Sequence, residues 1–511
     1  MRMMRADALL SAAESLPSNY AGPGGVLAVV KDGAVIVQKA WGYADATAGR
    51  IMTPETLLPI CSITKQFTCA LLLDLFPDPE FLADRLRQFL PNLKSAGPSI
   101  SQLCNNQSGV RDYATTTILC GLGAEDRFDR DQARALLART SSTYFRPGTE
   151  YGYSNSNFHI IACLIEEATG EDYGTLLRER LFNPAGMTTA RFVPDSTIYP
   201  ETCTGYEGDF RNGFFPAVNR SQWIGDAGIC ASLKDMIRWE QYVQELDHHQ
   251  GSLYRKISTP QSFADGTPAP YGFGLARGNV CGASVVGHSG GMRGWRMHRT
   301  YAREAGLSSI VMFNHEADAK AAAESLIAAA LKAEDETEEP SHFFLNRDRA
   351  ILVEVTSRVG DEISVLSEGE ITTVKLDGEG VSEGKGYVFE SEGRVLQIAR
   401  PAVEPHLRFE RGERSTDRAL EGRFYSEELG STFVAKATSG VSYGAFDGAF
   451  GAGALFALKP VAKDVWQSQN LRGIDMAPGP LTVIRETTSK GAVVVRVSAP
   501  LAQNIVFEQI P

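Results

Sequence analysis

Ser62 and Lys65 have the spacing of a serine nucleophile and the base that activates it. A serine hydroxyl is too weakly acidic to ionise alone, so it attacks a carbonyl only when a neighbouring group accepts its proton. A lysine three residues later on a helix lies on the same face, and burial or nearby cations can lower its pKa enough for this role. A helix-capping serine followed by a solvated lysine has the same spacing, and a second match, Ser382 to Lys385, lies in a glycine-rich stretch.

Tyr153 and Asn155 form a second candidate group, inside the segment FRPGTEYGYSNSNF at 145–158. Alternate residues of an extended segment point the same way, so both side chains can face one pocket. A phenol beside a lysine can pass a proton to a leaving group, while an amide can orient the substrate and the nucleophile. A buried tyrosine and an asparagine that caps a helix explain the same residues without any chemistry.

His288 and Gly290 belong to a third segment, VGHSGG at 286–291, which follows a β-rich run. A strand here could pair with the backbone of a substrate and bring His288 to the site. The same letters match G-x-S-x-G, the nucleophile elbow, with Ser289 as the nucleophile. An elbow needs a helix directly after it, whereas the residues that follow predict a strand, a turn and a second strand, so the elbow is the less favoured alternative.

The elements that would position these residues are mixed helices and strands before residue 332. Residues 24–42 predict a hairpin, and helices are predicted from Ser62, over 156–168 and over 318–331, with further strands near 283–287 and 308–313. An N-terminal amphipathic helix is predicted from the spacing of its apolar residues, Leu9, Leu10, Ala13 and Leu16.

The chain changes character at the acidic run KAEDETEEPS, 332–341, which is predicted to be a linker. Beyond it come short β-runs between turns, a pattern typical of small barrels or sandwiches. The predicted strands are 351–356, 362–366, 371–376, 387–390, 394–399 and 407–410, with more from Gly422 onward. The predicted division is a first domain at 1–331, the linker, and two β domains at 342–417 and 418–511.

Composition indicates a soluble globular protein, with 511 residues of which 43% are hydrophobic and 22% charged. Acidic residues exceed basic ones by 12, which disfavours nucleic acid or an anionic membrane as a partner. No apolar run approaches the ~20 residues of a membrane span, and no secretory signal is recognisable. Eight scattered cysteines suggest reduced thiols and a cytoplasmic protein. Dinucleotide, P-loop and zinc-protease motifs are missing, so no metal or organic cofactor is expected.

The order and flanks of SITK at 62, YSN at 153 and HSG at 288 resemble the penicillin-recognising serine hydrolases, which include class C β-lactamases and D,D-carboxypeptidases. Three further segments are similar to blocks of that family: CNNQSGVRDY at 104–113, LFNPAGM at 181–187 and GDAGICAS at 225–232. Within the family the chain is most similar to the D-stereospecific aminopeptidases. This resemblance implies an α/β (α+β) β-lactamase-like domain with a central antiparallel sheet flanked by helices, followed by two small antiparallel β-barrel domains.

The resemblance also implies a role for each candidate residue. Ser62 would be acylated, Lys65 would be its general base, Tyr153 would relay a proton to the leaving amine, and Asn155 would position the substrate. His288 stands where relatives usually carry Lys-Thr/Ser-Gly, whose lysine pairs with a substrate carboxylate. Carboxylate recognition is therefore expected to be weak at this position.

A loop at 471–481 resembles the segment that restricts the amino end of the substrate in the aminopeptidases. Its substrate-binding residues would be Gly473, Ile474, Asp475, Met476 and Ala477, together with Gly290 of the third motif. Asp475 would pair with the free ammonium of the substrate.

The reaction implied is release of N-terminal D-residues, D-alanine above others, from small peptides, amides and esters. A homodimer is also implied, with β-lactams as candidate inhibitors. Two alternatives remain open at this point: a related esterase or D,D-carboxypeptidase, and a non-catalytic penicillin-binding or sensor protein.

Overall fold

The computed structural model describes most of the chain, with gaps that lie mainly beyond residue 331. The described residues are 5–199, 203–209, 213–249, 251–331, 342–347, 350–359, 362–367, 370–375, 387–390, 395–398, 407–411, 419–438, 441–453, 456–470, 480–499 and 502–511. The predicted linker at 332–341 lies outside them.

The first part of the chain contains both helices and strands, with most of the helices between β4 and β5. In chain order its elements are α1 (Ala6–Asn19), β1 (Gly24–Lys31), β2 (Ala34–Asp45), β3 (Arg50–Ile51), β4 (Leu58–Pro59), α2 (Thr64–Leu75), α3 (Ala83–Phe89), α4 (Ile100–Cys104), α5 (Tyr113–Leu119), α6 (Arg130–Ala138), α7 (Asn155–Thr169), α8 (Tyr173–Leu177), α9 (Asn183–Ala185), β5 (Arg191–Phe192), β6 (Tyr206–Asp209), β7 (Gly213–Pro216), β8 (Ile229–Ala231), α10 (Leu233–Asp247), α11 (Leu253–Ile257), β9 (Tyr271–Gly272), β10 (Leu275–Val280), β11 (Ala283–Met292), β12 (Trp295–Ala302), β13 (Leu307–Phe313) and α12 (Ala319–Leu331).

An eight-stranded antiparallel sheet forms the centre of this part, in the order β3-β2-β1-β13-β12-β11-β10-β9. Consecutive residues of strand β1 are buried. Since successive side chains of a strand point to opposite sides, both faces of β1 are covered. Val26 and Ala28 contribute to the core shared with α2, α7 and α10, while Leu27 and Val29 contribute to the core shared with α1 and α12. The sheet is therefore flanked by helices on both faces, as predicted.

Each helix and strand predicted for this part is present, although the first and last residues of several differ from the prediction. The hairpin at 24–42 is β1 and β2, and α7 ends at Gly170, which adopts the left-handed conformation at φ 74°. Leu9, Ala13 and Leu16 of α1 are buried, but Leu10 is 45% exposed. The prediction that Leu10 belongs to the apolar face of this helix was wrong, because Leu10 lies about 100° around the helix from Leu9.

The C-terminal part is built from antiparallel strands. They are β14 (His342–Asn346), β15 (Ile351–Val359), β16 (Glu362–Ser367), β17 (Glu370–Lys375), β18 (Tyr387–Glu390), β19 (Val395–Ile398), β20 (Leu407–Arg411), β21 (Gly422–Ser426), β22 (Ser431–Thr438), β23 (Val441–Gly448), β24 (Gly451–Ala452), β25 (Phe456–Ala462), β26 (Val465–Asn470), β27 (Pro480–Thr487), β28 (Val493–Ala499) and β29 (Ala502–Ile510).

These strands form two sheets. The first has the order β17-β16-β15-β14-β20-β19-β18, and the second β22-β21-β29-β28-β27-β26-β25-β23-β24, with β22 also paired to β23. Each β-run predicted between 351 and 410 corresponds to one strand. A β-rich C-terminal part is thus confirmed, whereas the arrangement of each sheet as a barrel stays a prediction.

None of the eight cysteines, all of which are described, forms a disulfide, as predicted, and seven of them are buried. Burial raises the pKa of the Cys120 and Cys163 thiols to about 11, so both stay protonated at neutral pH. No helix in the described ranges combines the length and the apolar character needed to cross a bilayer.

His159 gives helix α7 a sensitivity to acid. Neither ring nitrogen has a hydrogen-bond partner among the described residues, and burial, with the charges of Arg130 and Arg134, lowers its pKa to about 3. Between its ordinary pKa of about 6.5 and this value the unfolded chain binds a proton here that the folded chain does not, so stability falls as the pH falls.

We expect His159→Phe to reduce this loss by about 2 kcal/mol between pH 6.5 and 5, since each unit corresponds to about 1.4 kcal/mol per proton. Urea unfolding at both pH values measures the difference, with the exposed His248→Gln variant as control. Equal losses of stability in the wild type and His159→Phe would contradict the assignment of this proton to His159.

Candidate active site

Ser62 lies in a short 3-10 turn, Cys61–Ile63, that leads directly into α2. The predicted helix therefore starts as a tighter turn, and α2 itself begins only at Thr64. Cys61 is buried and has a φ of +50°, a strained conformation that side chains rarely adopt and that clusters at functional sites. The turn leaves Ser62 half-buried.

Gly290 fixes this turn from the neighbouring strand. A Cβ atom at Gly290 would clash with the carbonyl oxygen of Ile60 and would lie 3.1 Å from the Cβ of Cys61. Only glycine lets β11 approach the nucleophile turn this closely. The structure brings Gly290 to the site, while its contact with substrate stays a prediction.

Lys65 is fully buried on the first turn of α2 and is surrounded by oxygen atoms. Its Nζ lies 2.8 Å from Ser62 Oγ, 2.7 Å from Asn155 Oδ1 and 2.9 Å from the backbone oxygen of Asp226. A charged ammonium donates to all three oxygens. A neutral amine donates to Asn155 and Asp226 and leaves its lone pair directed at the serine hydroxyl. The geometry therefore suits proton transfer between Ser62 and Lys65.

Tyr153 and Asn155 reach this lysine from the start of α7. Ser154 between them is extended, with φ −152° and ψ 120°, so the two side chains share a direction as predicted. The Tyr153 ring centroid lies 4.9 Å from Lys65 Nζ and 6.0 Å from the His288 ring. Three of the other four predicted catalytic residues, Ser62, Tyr153 and Asn155, thus surround Lys65, and His288 adjoins them through Tyr153.

Asn106 holds the YSN segment and was not identified from the sequence. Its backbone oxygen accepts from the N–H of Gly152 at 2.8 Å. Its side-chain Oδ1 accepts from Ser154 N at 3.2 Å and from Asn157 Nδ2 at 2.8 Å. Asn106 adopts φ +53°, which asparagine tolerates better than most residues. Asn106 lies in the family-like segment CNNQSGVRDY at 104–113, but nothing in that segment marked it as the residue that holds YSN.

His288 is held neutral by its surroundings. Burial, with the nearby charge of Lys65, lowers the His288 pKa to about 3. Nδ1 contacts the carbonyl oxygen of Ser289, so Nδ1 carries the proton and donates to that oxygen. Nε2 is left as an acceptor for the hydroxyl of Tyr271 at 2.9 Å. The position therefore offers no positive charge to a substrate carboxylate. Sequence reasoning missed Tyr271, the residue that holds the Nε2 side of this ring.

Ser289 is not a nucleophile elbow. Strand β11 continues through it to Met292 and pairs with β12 along 286–292, so the strand-to-helix turn that an elbow needs does not form. Ser289 points to the sheet face opposite His288, where its Oγ lies 2.8 Å from His298 Nδ1. Burial holds the His298 pKa well below its usual range, which makes that imidazole a weak base.

Several predicted residues cannot be placed. Pro480 opens β27, but 471–479 lie outside the described residues, as does the second SxxK match. The predicted substrate contacts concerned are Gly473, Ile474, Asp475, Met476 and Ala477.

Comparisons with known proteins cover nearly the whole length of the chain. Residues 9–334 match the family model described as beta-lactamase, and residues 335–508 match the model described as D-aminopeptidase, domain B. A D-aminopeptidase of Brucella canis is 40% identical over 505 residues, which cover 97% of this chain and 97% of that protein.

Two solved structures have the same fold. The octameric penicillin-binding protein homologue from Pyrococcus abyssi is 18% identical with a TM-score of 0.55, and the match covers 99% of this chain and 100% of that one. The D-amino acid amidase from Ochrobactrum anthropi SV3, solved with L-phenylalanine amide, is 20% identical with a TM-score of 0.51 and covers 63% of this chain and 98% of that one. At such identities these two matches bear on the fold alone.

Proposed function

We propose, because the chain belongs to the β-lactamase family and to the D-aminopeptidases within it, that it is a serine aminopeptidase specific for D-residues. It releases D-amino acids, D-alanine above others, from the amino ends of peptides, amides and esters. The single observation that carries the mechanism is the position of Lys65 Nζ, 2.8 Å from Ser62 Oγ with two fixed acceptors beside it.

Acylation begins when the Ser62 oxygen attacks the substrate carbonyl and its proton passes to the Lys65 amine. The oxyanion that forms receives hydrogen bonds from the Ser62 N–H and from a backbone N–H of the strand after His288. Tyr153 then relays a proton to the leaving amine, the carbon–nitrogen bond breaks, and the acyl group stays on Ser62. Water attacks this ester, the oxygen of Ser62 regains a proton, and the D-amino acid leaves.

In this proposal the site recognises the amino end of a substrate by the charge of its ammonium group. His288 is neutral, which supports a site that does not select substrates by a carboxylate next to the scissile bond. Asp475 pairs with the free ammonium of the substrate in this proposal, and the neighbouring residues 473–477 restrict the space around it. Asn155 orients the substrate amide while it holds Lys65.

Hydrolysis of three p-nitroanilides tests the function: D-alanyl, L-alanyl and N-acetyl-D-alanyl. We expect the D-alanyl compound to be hydrolysed at least about 100-fold faster than the other two. The acetylated compound lacks the ammonium that the site would bind, and the L-compound, with its scissile carbonyl placed on Ser62, carries its ammonium and methyl group in exchanged positions. Equal rates for the free and acetylated D-compounds would instead indicate the related esterase or D,D-carboxypeptidase. No acylation by any of the three would indicate the non-catalytic penicillin-binding protein.

The proposal extends to compartment, assembly and architecture. Free cysteines are typical of a reducing compartment, which supports a cytoplasmic location. We propose a homodimer that β-lactams inhibit. Its domains are 1–331, 342–417 and 418–511, joined by the linker 332–341, and each of the last two is an antiparallel barrel.

A further inference from the structure

The C-terminal sheet contacts the catalytic part next to the active site. Arg111 Nη1 donates to Glu428 Oε1 at 2.6 Å, and the two side chains are only 11% and 27% exposed. Arg111 immediately precedes Asp112, the N-cap of α5. The ion pair therefore holds the start of α5 against the loop between β21 and β22.

The same sheet holds the other end of α5. The hydroxyl of Ser431 donates to the backbone oxygen of Leu119 at 2.5 Å, and the Phe450 N–H donates to Cys120 O at 3.1 Å. Leu119 and Cys120 are buried in the hydrophobic core of the C-terminal sheet. The segment 111–120 is thus fixed at both ends by residues that lie more than 300 positions later in the chain.

Asp112 connects this segment to Asn155. Its carboxylate is fully buried and accepts two backbone hydrogen bonds, from Asn155 N at 2.6 Å and from Thr115 N at 2.8 Å. The first bond fixes the residue whose amide oxygen accepts from Lys65. The second bond joins the same carboxylate to Thr115 of α5. A displacement of α5 would therefore move the carboxylate of Asp112 and, through it, the backbone of Asn155.

Tyr113 makes a parallel connection to Lys65. Its hydroxyl donates to Asp226 Oδ2 at 2.6 Å, and its N–H donates to Ser156 Oγ at 2.8 Å. Asp226 is the residue whose backbone oxygen accepts from Lys65 Nζ. Each of the two residues that accept from Lys65 is therefore hydrogen-bonded to a residue at the start of α5: Asn155 to Asp112, and Asp226 to Tyr113.

We propose that Asp112 is a positioning residue for Asn155, and that the C-terminal sheet, by holding segment 111–120 at both ends, sets the geometry in which Lys65 meets Ser62. The inference rests on the proposed function only in taking Ser62 as the acylated residue. It assigns the C-terminal sheet a role in acylation that is independent of the predicted loop at 471–481.

The test compares Asp112→Asn, Glu428→Gln and the control Glu427→Gln, whose exposed side chain has no ion pair in the described part of the chain. The two oxygens of Asp112 each accept from one backbone N–H. Asparagine keeps one of these oxygens and replaces the other with an NH₂ group, which cannot accept, so one of the two bonds is lost. Acylation by p-nitrophenyl acetate is measured from the burst of nitrophenolate, and kcat and KM with D-alanyl p-nitroanilide. Near-UV circular dichroism checks that each variant is folded.

We expect Asp112→Asn to lower the acylation rate and kcat by about 100-fold with KM changed less than about twofold, the loss typical of a misplaced catalytic group. Glu428→Gln, which removes the charge that pairs with Arg111, is expected to lower both by about 5-fold, and Glu427→Gln to change neither. If Asp112→Asn does not fold, Glu428→Gln carries the test. Acylation within twofold of the control in the folded variants overturns the inference. A wild type that is acylated by the ester but does not cleave the D-amide overturns the proposed specificity, and the same variants still decide the inference.

Discussion

Ser62→Ala is expected to abolish turnover of D-alanyl p-nitroanilide, lowering kcat/KM by about 10⁴-fold or more, because loss of a nucleophile leaves only binding and oxyanion stabilisation. The substitution removes one half-buried hydroxyl and leaves the turn Cys61–Ile63 intact. The fold is therefore expected to survive, and thermal unfolding of the variant should match that of the wild type. Initial rates of the variant and the wild type, at equal enzyme concentration by protein mass, measure the effect.

Two other serines provide matched controls for this substitution. Ser289 occupies the G-x-S-x-G segment, and Ser382 occupies the second SxxK match. Ser289→Ala and Ser382→Ala are each expected to retain kcat/KM within about threefold, because neither serine is the nucleophile in this proposal. A Ser289→Ala variant without activity, beside an active Ser62→Ala, would reverse the assignment of the nucleophile.

Lys65→Met is expected to lower the rate of Ser62 acylation by about 10³- to 10⁴-fold, the contribution of a positioned general base. Methionine fills the buried space but cannot accept the serine proton. Because Asn155 Oδ1 and Asp226 O lose a donor, the variant is also expected to lose about 1–3 kcal/mol of unfolding free energy. Single-turnover acylation, measured well below the unfolding temperature, separates the two effects.

The second SxxK match again supplies the control for this variant. Lys385→Met alters a lysine with the same sequence spacing from a serine, and we expect acylation to remain within about twofold of the wild type. Acylation by Lys65→Met at near wild-type rate would show that another group accepts the proton of Ser62.

Local patterns predicted the elements of the catalytic part because each pattern reflects a local cause. The hairpin at 24–42 follows from two β-rich runs around Asp32 and Gly33, both of which adopt positive φ in the turn. Helix α7 follows from its apolar spacing and from Gly170, which ends it. The order of SxxK, YSN and HSG then identified the residues that the fold brings together around Lys65.

The parts that sequence reasoning missed depend on contacts between distant residues. Tyr271 reaches His288 across the sheet, and Asp226 offers Lys65 only a backbone oxygen, which any residue type would supply. Asp112 has the pattern of an ordinary helix N-cap, and its second bond, to Asn155, appears only in the folded chain. The 3-10 turn at Cys61–Ile63 was also missed, and its close contact with Gly290, 228 residues later, cannot be read from local propensity.

Peptide mass mapping after an acid quench tests the central claim most directly, since it locates the acyl group itself. The wild type is incubated with the amides of D-alanine and L-alanine, and the digested protein is searched for the added aminoacyl mass. We expect the mass on the peptide that contains Ser62, with the D-amide and not with the L-amide, and nothing on the peptide that contains Ser289. An acyl group on any other residue, or none on Ser62 while D-alanine is released, would contradict this account.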